Sequence, residues 1–162
     1  MPGINETYPP GLPAERTAEY IAVEKARAYT ATIGDDEIVV TADTVVIIDG
    51  ELLGKPADAA EAKSMLHRLS GRTHSVVTGV CLTWLDNGLR QRQFSVTTEV
   101  TFRPLTDAEI DYYVDRYRPL DKAGAYGVQE WIGYIGVTSL RGSFYNVMGL
   151  PVQRLYNELL AI

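Results

Sequence analysis

Apolar residues along this chain follow helical spacing in some segments and form strand-like runs in others. Helical spacing flanked by capping and turn residues predicts helices from Ala14 to about Thr30, Ala57 to about Leu69, Thr106 to about Arg116, and Pro151 to Leu160. β-Branched and alternating runs predict strands at 39–48, 51–53, 73–85 and 90–102, with short strands around Val128 and at 134–137. The dipeptide Asp49-Gly50 predicts a tight hairpin between the first two strands.

This order of elements predicts the fold class. Helices interspersed with long hairpins favour an α/β fold with a mixed, largely antiparallel sheet over a doubly wound parallel sheet. The length of 162 residues fits one domain with a sizeable core. The shares of hydrophobic and charged residues, 46% and 22%, are ordinary for a globular protein.

Charge, hydropathy and cysteine content exclude several classes of protein. The net charge of −6 argues against a protein that binds the nucleic-acid backbone, which needs a basic face. No apolar run is long enough to predict a membrane span. The single cysteine, Cys81, cannot form an internal disulfide, so we expect a cytoplasmic, reducing environment and a small core residue at this position.

One aspartate, Asp43, interrupts the aliphatic run from Val39 to Ile48. A carboxylate in such a strand is unfavourable unless a metal, a cation or hydrogen bonds compensate for its lost hydration. Asp43 is therefore a candidate Mg²⁺ ligand, or the base that orients an attacking water. An aspartate at a strand end whose oxygens accept local amide hydrogen bonds remains an equal alternative.

A lysine follows shortly afterwards in Gly54-Lys55-Pro56. The segment is one residue too short for a phosphate-binding P-loop, and Pro56 stands where that motif needs a hydroxyl. Lys55 can still meet an anion just before the next helix, although a lone turn lysine is more often simply solvated. The buried acid Asp43 and the loop lysine Lys55 together indicate a site for a divalent metal and a polyphosphate.

The segment from Asp121 to Gln129 runs from two charged residues directly into small ones. Glycines allow a backbone to approach a ligand closely, and the Gln129 amide could read a base edge, but tight packing of a loop explains the pattern equally well. Glu6 and Lys25 are, on local sequence alone, ordinary surface charges. The two histidines, His67 and His74, do not form a ligand pair, and with one cysteine and no HExxH or CxxC motif a zinc site is not expected.

Taken in order, several segments resemble the Maf family of nucleoside triphosphate pyrophosphatases. The resemblance covers almost the whole chain and rests on an ordered series of motifs. These are Ile4-Asn5-Glu6-Thr7, Glu24-Lys25-Ala26, Ala42-Asp43-Thr44, Gly54-Lys55-Pro56, Leu69-Ser70-Gly71-Arg72-Thr73-His74, Asp121 to Gln129, and Asn146-Val147-Met148-Gly149-Leu150-Pro151.

The resemblance implies a mixed α/β, two-lobed fold, with residues 1–162 forming a single Maf-like domain. It implies cleavage of a nucleoside triphosphate between the α and β phosphates with a divalent metal, Mg²⁺ or Mn²⁺. Ala42-Asp43-Thr44 together with Gln129 resembles the branch of the family that acts on dTTP and UTP. Homodimers are common in the family, so the expected partners are the nucleotide and a second copy, with no nucleic acid or membrane.

Site residues follow from the same resemblance. Asp43 matches the catalytic acid, and Thr44 and Gln129 match positions tied to substrate choice. Glu6, Lys25 and Lys55 match pocket positions that hold metal or phosphates. Of these, Glu6 is expected to bind the metal together with Asp43, and Lys25 and Lys55 are expected to bind the substrate.

One departure from the family pattern leads to a second hypothesis. Family members begin with a strand, a loop of the form Ser-x-Ser-Pro-Arg-Arg and a helix, about thirty residues that are expected to be missing here. The arginines of that loop would contact the phosphates strongly and directionally. The alternative to an active enzyme is therefore a catalytically impaired nucleotide-binding module, or a regulatory module related to cell division.

Overall fold

The computed structural model describes residues 6–162, so Ile4 and Asn5 of the first motif lie outside the described residues. The helices within this range are α1 (Ala14–Arg27), α2 (Ala59–Leu69), α3 (Asp107–Tyr117), α4 (Trp131–Gly136), α5 (Phe144–Met148) and α6 (Val152–Leu160), with a 3-10 turn at Ala123–Ala125. The strands are β1 (Ile38–Ile48), β2 (Glu51–Leu53), β3 (Thr73–Leu85), β4 (Leu89–Phe102) and β5 (Val137–Arg141). No helix in this range is long and apolar enough to cross a membrane.

The strands form one sheet in the order β2-β1-β3-β4-β5. Every pair of neighbours in it is antiparallel. The predicted α/β fold with a largely antiparallel sheet is therefore confirmed. Its centre is the long β1–β3–β4 meander, in which Asp43 lies opposite Gly79.

Local chemistry sets the ends of several elements. Asp49 and Gly50 both have positive φ, 54° and 76°, as the predicted two-residue hairpin requires. The Asp58 side chain accepts a hydrogen bond from the N–H of Glu61 at the start of α2. Thr106 and Glu109 form the predicted capping box at the start of α3.

The two faces of the sheet carry different helices. Ala18 of α1 packs with Val45, Ile47 and Val77 on one face. The larger core lies on the other face of the sheet. There, side chains of α2 and α3 pack against residues at even-numbered positions of β1 and β3, namely Val46, Ile48 and Val76. Since side chains alternate along a strand, Asp43 projects toward α1 and Thr44 toward the opposite face.

A glycine lets α1 lie directly on the sheet. A methyl group on Gly79 would overlap the backbone of Glu19 in α1. The facing side of α1 is correspondingly small, with buried alanines at every fourth position, Ala18, Ala22 and Ala26. Close contact between helix and strand in this region fixes the distance from α1 to Asp43.

The prediction of short strands around Val128 and at 134–137 is wrong. Val128 lies outside the strands, residues 131–136 form helix α4, and the strand starts only at Val137. The aromatic and β-branched residues of this segment resemble a strand, but a side chain on Gly133 would overlap the carbonyl oxygen of Val128. Glycine at this position permits the tight helical turn that replaces the predicted strand.

A buried histidine belongs to the larger core. The Nε2 atom of His74 lies 2.7 Å from the hydroxyl of Tyr126, and its ring stacks on Phe102. The Nδ1 atom is buried without a hydrogen-bond partner. Burial lowers the pKa of His74 from 6.5 to about 4.

Stability is therefore expected to depend on pH through His74. His74 takes up a proton near pH 6.5 in the unfolded chain but only near pH 4 in the folded chain. The contribution of neutral His74 to the free energy of unfolding is therefore complete above pH 6.5 and falls as the pH drops toward 4. The expected loss of unfolding free energy is up to about 3 kcal/mol. Urea denaturation across this range should show a much shallower pH dependence in His74→Gln.

The control for this experiment is His67→Gln, because the His67 side chain is half exposed. This variant should keep the pH dependence of the original chain. An unchanged slope in His74→Gln would contradict the assignment.

Candidate active site

The site lies along the part of β1 that pairs with β3 on one side and not with β2 on the other. β2 pairs only with the end of β1, at Val46–Ile48, whereas β3 pairs with β1 from Ile38 to Ile47. Within residues 6–162, the edge of β1 away from β3 therefore has no strand beside Asp43 and Thr44. Groups on both faces of the sheet can reach this open edge.

Four charged side chains meet on the α1 side of that edge. The Nζ atom of Lys25 lies 2.7 Å from Oδ1 of Asp43 and 3.1 Å from Oε1 of Glu6. The Nζ atom of Lys55 lies 3.1 Å from the other carboxylate oxygen of Glu6. Lys25 also donates to the carbonyl of Ala42, at 3.3 Å. The four residues form a chain of alternating charge, which we call the charged cluster.

Secondary structure places the two lysines of the charged cluster. Lys25 lies in the last turn of α1, the helix that packs closely at Gly79. Lys55 lies between β2 and α2, and its loop is fixed by a hydrogen bond from the N–H of Gly124 to the carbonyl of Gly54, at 3.1 Å. Their exposure differs accordingly, at 21% for the Lys25 side chain and 55% for Lys55.

Burial and ion pairing set the protonation of the charged cluster. Burial raises the pKa of Asp43, and the hydrogen bond and charge of Lys25 oppose this shift without cancelling it. Burial also disfavours the charged form of Lys25, but the hydrogen bonds and charges of Asp43 and Glu6 outweigh it and raise its pKa. Lys25 therefore remains an ammonium, beside a carboxylate of increased basicity.

A cleft of about 350 Å³ extends from the charged cluster across the edge of β1. Beyond Thr44 its walls combine apolar or small residues with the charged pair Asp121 and Lys122. Among the residues that line this end are Val46, Val76, Tyr126, Gly127, Met148 and Gly149, with the exposed Gln129.

The loop that carries Gln129 is supported from behind. The hydroxyl of Tyr113 accepts a hydrogen bond from the N–H of Gly127 at 3.1 Å and donates one to Glu130 at 2.9 Å. The other carboxylate oxygen of Glu130 pairs with Lys122 at 3.2 Å. A side chain on Gly127 would come within 2.8 Å of that oxygen, which ends a flexible side chain and could shift to make room.

A second polar network holds Thr44. Its Oγ1 atom lies 2.8 Å from Oγ1 of Thr78, and Thr78 donates to the backbone carbonyl of Asn146, at 2.9 Å. Neither Thr78 nor the amide of Asn146 was a site candidate in the sequence. A hydroxyl in a strand is common, and only the presence of Asn146 in a matched motif pointed toward this part of the chain.

The family model described as "Maf-like protein" matches residues 1–162. The chain belongs to the Maf-like family. The family resemblance drawn from the ordered motifs is confirmed by this match.

Curated Maf-like relatives are similar along nearly the whole chain. A protein of Phocaeicola vulgatus named dTTP/UTP pyrophosphatase is 58% identical over 98% of this chain and 81% of its own length. One of Porphyromonas gingivalis with the same name is also 58% identical, over 98% of this chain and 79% of its own. A third, of Bacteroides thetaiotaomicron, is 53% identical over 98% and 81%.

The predicted site residues of this Maf-like chain all lie around one cleft. The charged cluster brings together Glu6, Lys25, Asp43 and Lys55, which are far apart in sequence. Thr44 and Gln129 line the same cleft. The chemical roles assigned to these residues remain predictions.

The carboxylates of the site determine how a divalent metal could be held. Among residues 6–162, no group of three or more histidine, cysteine, aspartate or glutamate side chains is arranged to hold a metal. Glu6 and Asp43 supply two carboxylates, both within 3.1 Å of one ammonium. Mg²⁺ is usually held by one or two carboxylates, substrate phosphates and water, so the residues fit a cation that arrives with its nucleotide.

Proposed function

We propose that this chain hydrolyses dTTP and UTP to the nucleoside monophosphate and pyrophosphate. The observation that carries the proposal is the 58% identity, over 98% of the chain, to relatives named for this activity. The cleft supports it independently, since a cluster of paired charges suits a polyphosphate and the small and apolar residues beyond Thr44 suit a base.

The charged cluster can exchange its partners when the substrate binds. Lys25 and Lys55 offset the charges of Glu6 and Asp43 in the free protein. In the complex, both lysines would turn to the phosphate oxygens and neutralise the charge that develops on the leaving pyrophosphate. Asp43, released from Lys25, would accept a proton from the water that attacks the α-phosphorus.

We propose Mg²⁺ or Mn²⁺ as the cofactor, held by Glu6 and Asp43. When bound, the cation supplies Lewis acidity and positive charge to the phosphates. Two carboxylates that share one ammonium need such a cation to remain ionised and close together once Lys25 moves to the substrate.

The test of this function is release of pyrophosphate from a panel of nucleoside triphosphates with Mg²⁺ or Mn²⁺. We expect dTTP and UTP to be hydrolysed preferentially over ATP, GTP and CTP, and chelation of the metal to stop turnover. No pyrophosphate from any nucleotide would contradict the proposal. Saturable UTP binding without turnover would favour the nucleotide-binding module instead.

We also propose a cytoplasmic homodimer. Cys81 is a buried free thiol, which suits a reducing compartment. One side of α6 exposes apolar side chains at every fourth position, Val152, Tyr156 and Leu160, a stripe that a second copy could cover. Sedimentation equilibrium should give twice the 17.9 kDa mass of one chain; a single-chain mass at micromolar concentration would contradict the dimer.

A further inference from the structure

The position of Thr44 indicates which part of a nucleotide it meets. Asp43 and the charged cluster lie on the α1 side of the edge of β1, and Thr44 projects to the opposite side, where apolar and small residues line the cleft together with Asp121, Lys122 and Gln129. If the triphosphate occupies the charged end, as the proposed function requires, the base lies beside Thr44. The following inference rests on that proposed function.

The hydrogen-bond partners of Thr78 fix the direction of the Thr44 hydroxyl. The backbone carbonyl of Asn146 can only accept, so Thr78 must donate its single hydroxyl proton there, at 2.9 Å. Thr78 then has only lone pairs for Thr44, 2.8 Å away. The proton of Thr44 is therefore used within the protein, and its oxygen offers the ligand an acceptor and no donor.

Asn146 is itself held firmly in place. Its side-chain nitrogen donates to the carbonyl of Val96 and the hydroxyl of Thr98, each at 3.0 Å, and to the carbonyl of Val76 at 3.3 Å. These carbonyl acceptors fix which end of the amide is the nitrogen. The N–H of Asn146 also donates to Ser143 at the start of α5. The carbonyl that takes the proton of Thr78 is thus anchored to β3, β4 and α5.

We infer that Thr78, held by Asn146, orients Thr44 as an acceptor that selects a pyrimidine with a protonated ring nitrogen. Uracil and thymine carry N3–H, which donates to an acceptor. Cytosine carries an unprotonated N3 that would oppose the lone pairs of Thr44. The exposed Gln129 does not discriminate by itself, because its amide has both a donor and an acceptor end and can rotate.

The experiment measures binding, so that it is separate from catalysis. Calorimetric titration with the α,β-methylene analogues of UTP and CTP compares two ligands that differ only in the base and cannot be cleaved at the α–β bridge. We expect the original chain to bind the uracil analogue at least about tenfold more tightly, the effect of one mismatched polar contact.

Variants of Thr78 and Thr44 then distinguish the orientation of the Thr44 hydroxyl by Thr78 from simple contact between Thr44 and the base. Thr78→Val removes the acceptor and frees the Thr44 hydroxyl to rotate and donate to cytosine, so the affinity ratio should fall to within about threefold. Thr44→Val should lower the ratio similarly by weakening uracil binding. Because Thr78 acts through Thr44, the double variant should show no further loss. Thr78→Ser keeps the hydroxyl and should restore most of the ratio.

Several outcomes would overturn the inference. An unchanged ratio in Thr78→Val, or additive losses in the double variant, would show that Thr78 does not act through Thr44. Equal weakening of both ligands in Thr44→Val would mean that Thr44 meets the sugar instead of the base. Should Thr78→Val fail to fold, Thr78→Ala removes the same hydroxyl and should lower the ratio in the same way; an unchanged ratio in that variant would overturn the inference. Uracil selectivity in a chain that releases no pyrophosphate would sustain the inference while the proposed hydrolysis fails.

Discussion

Replacing Asp43 by asparagine is expected to lower kcat for UTP roughly a thousandfold, within the range attributed to a positioned general base. Asparagine keeps the shape of the side chain but removes the charge that Lys25 contacts at 2.7 Å, and its amide cannot accept a proton from water at neutral pH. Lys25 keeps Glu6 as a partner at 3.1 Å, so the fold should persist. Steady-state pyrophosphate release measures the effect.

A matched control distinguishes loss of the base from loss of a negative charge in general. Asp111 pairs with Lys63 at 2.9 Å on the surface, away from the cleft. Asp111→Asn removes the same charge and should leave kcat within about twofold, because exposed ion pairs contribute little. If Asp43→Asn turns over UTP as fast as Asp111→Asn does, the proposed role of Asp43 is wrong.

Substitution of Gly79 by alanine is expected to destabilise the fold by about 3 kcal/mol or more, at the upper end of overpacking effects. The added methyl group would overlap the backbone of Glu19, which has no flexible side-chain end that could move aside. Relief requires α1 to move off the sheet and to carry Lys25 away from Asp43. Urea unfolding and the kcat of the remaining folded protein measure the two consequences.

Gly34→Ala provides the steric control for this variant. A methyl group on Gly34 would meet only the side chain of Glu37, at 3.5 Å, so stability should change by no more than about 0.5 kcal/mol. Equal stability of the Gly79 and Gly34 variants would show that α1 does not depend on close approach.

Local sequence predicted those features that local chemistry determines. The Asp49-Gly50 hairpin and the Thr106 capping box depend on a few adjacent residues, and the structure contains both. The long strands were predictable because β-branched runs pack well in a sheet. Only the ordered family motifs pointed to Glu6 and Lys25, because their own neighbourhoods look like ordinary surface.

Other features depend on contacts between distant segments. The role of Asn146 arises from carbonyls of β3 and β4 that lie 70 and 50 positions away, which no local pattern reveals. Residues 131–136 show the opposite problem. Their composition favours a strand, but tertiary contact at Gly133 favours a helical turn, so tertiary context overrides propensity.

The alternation of side chains along β1 has a consequence for how this protein can change over evolutionary time. Asp43 and Thr44 are consecutive, and the pleat sends Asp43 to the charged cluster and Thr44 to the opposite face of the sheet, where we propose that the base binds. Under this proposal, a point mutation at Thr44 alters nucleotide preference without moving the carboxylate of Asp43. An insertion or deletion of one residue before this pair would exchange the two faces and remove both properties together, so new specificities in this scaffold should arise by substitution while the length of β1 stays constant.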